Sequence, residues 1–243
     1  NEWEEAEFVT DDIEKNVADG KHYRDHMILS RSVYAARKIE AACISKKIPY
    51  IVFGGTTLMR SAHVRDVVSA LRILANFRDE LAWMRYLMLW QGVGEVSASK
   101  IIEKMFSYAS LRECIDVVKS AKLKDHAAHE LLQKICTLEK RPDAAIDIIV
   151  SELDGIMARK HENWDARKKD FTALKIVAKR ADSISTFITE YILDPVAELS
   201  NVLEKREDND RIVISTIHSA KGLEAEICYI ASVTPGMFPS HKA

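Results

Sequence analysis

Apolar residues recur at helical spacing at the start of the chain, where Ala6, Phe8, Val9, Ile13 and Val17 precede Asp19-Gly20. That pattern predicts an amphipathic helix over 5–18 with a glycine stop. An apolar run at 26–29 predicts a strand. Ser32 is placed to cap the next helix, whose Val33, Ala36, Ile39 and Cys43 fall on one face. Ile48-Pro49 ends it, because a residue before proline is pushed out of the helical region, and Tyr50–Phe53 predicts a second strand. Gly54-Gly55 then turns the chain into a helix with a core-facing stripe of Val64, Val67, Val68, Leu71 and Leu74. From about residue 76 strand signals vanish, and helical patterns run to about residue 205, broken near Gly92, Arg141-Pro142 and Asp194-Pro195. Strands return at 211–217 and 226–233, after a charged stretch over 204–210 that suits an exposed linker.

This order predicts an α/β fold: a discontinuous parallel-sheet domain over 1–75 and 209–243, interrupted by an all-helical insertion over 76–208. A hydrophobic content of 47% with 30% charged residues is that of a globular protein able to bury a core. The formal net charge of −2 excludes a polycation that coats nucleic acid everywhere, so any such binding must use local positive patches and aimed backbone N–H groups. Cys43, Cys114, Cys136 and Cys228 lack the paired spacing of a zinc site and are expected as reduced, mostly buried thiols, with no metal site. No basic segment followed by an apolar run opens the chain, and no stretch is long enough to span a bilayer, so the expected location is cytoplasmic, with no membrane partner. A start without Met and an abrupt stop at Ala243 suggest a piece of something longer.

The candidate chemistry lies at strand ends. Arg31 falls just past a strand's carboxyl end, where open α/β sheets bind ligands; its guanidinium suits a phosphate, or a surface ion pair. In the turn after Thr216, small residues Ser219, Ala220 and Gly222 let a ligand lie close. Lys221 suits phosphate, Glu224 suits sugar hydroxyls, and Thr216 and His218 offer hydrogen bonds, though a histidine there can also be structural. Gly92, Val93 and Gly94 sit between two helical patterns. They make either a plain tight connection or a hairpin whose N–H groups, with the next helix N-terminus, face a phosphate without reading base identity. Arg60 and Arg65 can touch phosphate or lie solvated. The basic run from Arg159 to Arg180 is interleaved with acids and predicts solvated helix surface, while Trp83, Trp90 and Trp164 predict core packing.

The run Ile-Val-Ile-Ser-Thr-Ile-His-Ser-Ala-Lys-Gly-Leu-Glu at 212–224 resembles motif V of the UvrD/Rep-like superfamily 1 DNA helicases. Met27-Ile-Leu-Ser-Arg-Ser resembles motif IV, the stretch from Gly54-Gly55 to Asp66 resembles the motif that follows, Gly92–Gly94 resembles a helix–hairpin–helix, and Thr234-Pro-Gly-Met-Phe-Pro239 resembles the turn after the motif V strand. The resemblance implies the second RecA-like motor domain of an ATP-dependent DNA helicase that moves 3′ to 5′ on single strands. It implies that Arg31 contacts the γ-phosphate of ATP, Lys221 lies near the phosphates, Glu224 approaches the ribose, and Thr216 and His218 lie along single-stranded DNA. The Gly92–Gly94 turn would hold duplex DNA ahead of the fork, and Arg60, in the more loosely matching motif after Gly54-Gly55, would touch nucleic-acid phosphate. The family often has an aromatic residue before the motif IV arginine to stack on adenine; here that residue is Ser30.

The chain has no Gly-x-x-x-x-Gly-Lys-[Ser/Thr] loop, no apolar strand ending in paired acids, and no motif VI arginine. The resemblance implies ATP with Mg²⁺ as cofactor; with those motifs absent, the metal ligands are expected on an N-terminal motor domain of the same protein, and this chain alone is expected to be inactive. The other reading is a catalytically silent, helicase-derived DNA-binding or protein-docking module. Repair, replication and recombination all stay open as pathways.

Overall fold

The computed structural model describes residues 1–121, 123, 127–192 and 210–234. The expected break at Asp194-Pro195, the linker over 204–209, the boundary at 208/209 and the turn from Pro235 to Pro239 lie outside those residues. Two compact units are present, one of Asn1–Ser61 with Asp194–Ala243 and one of Ala62–Leu193.

In the first unit, α1 (Glu2–Ala18) begins three residues earlier than its apolar spacing predicts, because the Asn1 side chain accepts from the N–H groups of Trp3 and Glu4. It ends as expected, with Gly20 at φ +98°. Strand β1 (His26–Ser30) follows, and Ser32 caps not an α-helix but the 3₁₀ turn Val33–Ala36, so α2 (Arg37–Lys46) starts later than predicted. Then come β2 (Tyr50–Phe53), β3 (Ile212–Thr216) and β4 (Ile227–Ile230). The sheet order is β2-β3-β1-β4, all parallel, with Ser30 opposite Thr216 and Phe53 opposite Ser215. Helices α1 and α2 pack together, and α1 is tied to β4 where the Tyr229 hydroxyl donates to Asp12 at 2.7 Å. Ala6, Val9, Ile13, Ile28, Ile39, Cys43 and Ile214 form the core of this unit. Burying one of these valine or isoleucine side chains contributes about 1.5–3 kcal/mol.

The second unit is helical: α3 (Ala62–Ala75), α4 (Glu80–Leu87), α5 (Glu95–Met105), α6 (Leu111–Ser120), α7 (Ala127–Cys136), α8 (Pro142–Lys160), α9 (Trp164–Lys168), α10 (Asp170–Ala178) and α11 (Ile184–Phe187), which runs on into a π-turn at Ile188–Ile192. Helix α3 packs with α4, α8 and α11, so the compact units part between Ser61 and Ala62, whereas the sequence expectation parts them at 75/76. Trp83, Trp90 and Trp164 are buried. So is Asp66, which takes Arg85 at 2.7 Å, Lys160 at 2.8 Å and His161 at 3.1 Å. Lys160 is thus anchored rather than simply solvated. His63 pairs with the buried Asp170 at 3.0 Å. Cys43 and Cys114 are buried, Cys136 is half-buried and Cys228 is exposed. Among the described residues no helix is long and apolar enough to cross a membrane.

Candidate nucleotide and nucleic-acid edge

Because β3 inserts beside β1, the two strand ends that carry the candidate chemistry leave the sheet side by side. The Ile217 N–H donates to the Ser30 carbonyl at 2.9 Å, so Arg31 and the 216–224 turn start from neighbouring positions on the carboxyl edge. The β2 end joins them. Gly54 has φ +77°, and a Cβ there would overlap Ser219, lying 2.6 Å from its Cβ; at Gly55 a Cβ would overlap the Val33 side chain. Both glycines are required by close approach, and Gly54 by its left-handed backbone as well.

The 216–224 turn is built from its own polar groups. The Thr216 carbonyl accepts from the N–H groups of Ser219 and Ala220, each at 3.0 Å, and the Thr216 hydroxyl donates to Ser219 Oγ at 2.9 Å while accepting from the Ser219 N–H. The hydroxyl therefore shapes the turn, whereas His218, Lys221 and Glu224 are exposed at its surface. Arg31 is exposed too, and among the described residues no hydrogen bond or ion pair engages the side chains of Arg31, His218, Lys221 or Glu224. Cations left without carboxylate partners at a sheet's carboxyl edge suit a polyphosphate. Ser30 is fully buried, and its hydroxyl donates to the Ser32 carbonyl at 2.9 Å.

A buried hub that the motif reading passed over supports this edge. Glu40, 1% exposed, accepts from Arg37 at 2.6 Å, from the Tyr50 hydroxyl at 3.0 Å and from the Leu58 N–H at 2.7 Å. Arg37 in turn donates to Ser61 Oγ at 3.0 Å. Burial pushes the Glu40 carboxyl above its usual range, with Arg37 and the Leu58 N–H pulling it back. The hub ties α2 and β2 to the 54–61 loop, which carries the half-buried Arg60. Its sequence signal is only the Arg37-x-x-Glu40 spacing on one helix face.

Gly92, Val93 and Gly94 belong to the helical unit. Gly92 has φ +81°, Val93 is buried, and Gly94 is the exposed N-cap of α5 with open space around it. The turn is therefore anchored through the Val93 side chain, with Gly92 and Gly94 exposed on either side.

The whole chain, residues 1–243, matches the model of the UvrD-like helicase C-terminal domain. The chain belongs to that family. The UvrD-like chain is 24% identical over 251 residues to a probable DNA helicase II homolog of Rickettsia conorii, covering 99% of this chain and 38% of that protein. It is 26% identical over 259 residues to the ATP-dependent DNA helicase PcrA of Staphylococcus aureus, covering 100% of this chain and 35% of that protein. It thus spans little more than a third of these relatives' length. The α/β architecture found here, a parallel sheet with many helices, is consistent with a helicase C-terminal domain.

Proposed function

We propose that this chain supplies the nucleotide-sensing and DNA-gripping half of an ATP-dependent DNA helicase. One observation carries the reading: the Ile217–Ser30 hydrogen bond, which sets Arg31 and the 216–224 turn on one edge. Arg31 then acts as the catalytic cation toward the γ-phosphate, with Lys221 at the phosphates and Glu224 at the ribose. His218 and Thr216 follow single-stranded DNA, Gly92, Val93 and Gly94 grip duplex or fork DNA, and Arg60 separately touches nucleic-acid phosphate. The exposed, unpaired state of Arg31 and Lys221 fits a polyphosphate. This reading gives Mg²⁺ to the N-terminal motor domain of the same protein. ATP, when bound, supplies the phosphoryl group; this chain's residues bind it, orient it and offset its charge. By family, travel is 3′ to 5′. The helical stretch is read as the insertion of a discontinuous motor domain, bounded in sequence by 1–75 and 209–243, although α3 packs with the helices of the insertion.

The test is Arg31→Ala in the complete protein. Turnover should fall by about 10³ or more, as when other nucleotide hydrolases lose such a cation. Near-normal steady-state ATPase rates would overturn the assignment. A complete protein that binds DNA but turns over no ATP would instead favour the silent module.

A further inference from the structure

Tyr34 is an aromatic side chain to which none of these roles falls. It lies in the 3₁₀ turn Val33–Ala36, three residues past Arg31, and is 48% exposed. The turn around it is held on both sides: Val33 packs onto Gly55, and the Ala35 carbonyl accepts from Ser232 Oγ at 3.4 Å. The ring is held as well. The Arg37 guanidinium lies over it, 5.8 Å from the centroid, and that guanidinium is fixed by Glu40 and Ser61. A cation over a ring attracts its π-system, which here orders a side chain that otherwise stands in water. Ser30, buried and bonded to the Ser32 carbonyl, presents no flat apolar surface at this edge.

We infer that Tyr34 is a stacking platform for a nucleobase beside Arg31. An exposed ring with a fixed guanidinium behind it offers a flat, polarisable surface for any base, and Arg31 stands close in sequence to take the attached phosphate. The inference rests on the nucleotide and DNA reading above. The base can come from a bound nucleotide or from single-stranded DNA.

The experiment separates these sources in the complete protein that carries this chain. Affinities are measured for four probes: a non-hydrolysable ATP analogue, inorganic tripolyphosphate, a thymidine oligonucleotide and an abasic oligonucleotide of equal length. Tyr34→Ala should weaken the base-bearing member of one pair by roughly 5- to 150-fold, the range of one lost base–aromatic stack, and leave its base-free counterpart unchanged. Tyr34→Trp should restore the loss. The pair that responds identifies the source of the base. Wild-type binding that Tyr34→Ala leaves intact, or an equal fall in both members of a pair, overturns this inference alone. Failure of the wild type to bind any probe overturns the helicase reading, and this inference with it.

Discussion

Glu40→Ala should be among the most damaging single changes in the first unit. The substitution removes a carboxylate that is 1% exposed and three donors at once lose their acceptor: Arg37 at 2.6 Å, Leu58 N–H at 2.7 Å and Tyr50 hydroxyl at 3.0 Å. Removing one partner of a buried ion pair costs about 3–5 kcal/mol, because the remaining charge stays out of water. Against a typical domain stability of about 5–15 kcal/mol, that is a large fraction. Glu40→Gln keeps the volume and one acceptor oxygen but turns an amide N–H toward the Arg37 guanidinium, so it should fall between Ala and wild type. Urea unfolding of the 243-residue chain, followed by circular dichroism, reads the energies. Hydrogen exchange at the Leu58 amide reads the loop: that amide should lose protection in Glu40→Ala and keep most of it in Glu40→Gln, whose remaining oxygen still faces it. A Glu40→Ala cost under about 1 kcal/mol, with Leu58 still protected, would refute the claim that this carboxylate holds the 54–61 loop.

Two further outcomes follow from the same structure. Gly54→Ala forces a side chain into a left-handed position and onto Ser219, so it should cost at least roughly 1–2 kcal/mol; adding Ser219→Gly should recover the collision but not the backbone strain, and full recovery in thermal melts would contradict this division. His161 sits beside buried Asp66, and burial lowers its pKa below the usual 6.5 in spite of that carboxylate. The folded helical unit then binds its proton less readily than the unfolded chain does, so stability present above about pH 6.5 should be lost as pH falls through the lowered pKa. His161→Gln should flatten that slope between pH 7 and 5, and an unchanged slope would exclude this histidine as its source.

The strands were legible because each is a short apolar run bounded by turn residues. Tyr50–Phe53 is found as predicted, β1 extends one residue further to Ser30, and β3 and β4 are shorter than their runs. Strand order was not legible, since nothing local in 26–30 or 50–53 says that a third strand from beyond residue 210 lies between them. Breaks inside the helical stretch were only partly foreseen. Gly92 and Pro142 announce themselves, but Asp79, Ser110 and Ser183 stop and restart helices by side-chain caps on Ala82, Glu113 and Thr186. Such residues are also ordinary on helix surfaces, so their sequence signal is weak. At the candidate edge the charged residues could be read from sequence. The Arg37–Glu40 hub and the exposed Tyr34 could not, because burial and ring pinning depend on what the distant loop brings.

The placement of β3 between β1 and β2 also bears on how this molecule is made. During synthesis both outer neighbours leave the ribosome long before the strand that joins them, with the entire helical excursion still to come. Until it arrives they present unpaired amide edges, which are prone to wrong pairing. The nascent chain therefore has an extended vulnerable interval, and substitutions that lengthen it should lower soluble yield without altering the finished fold.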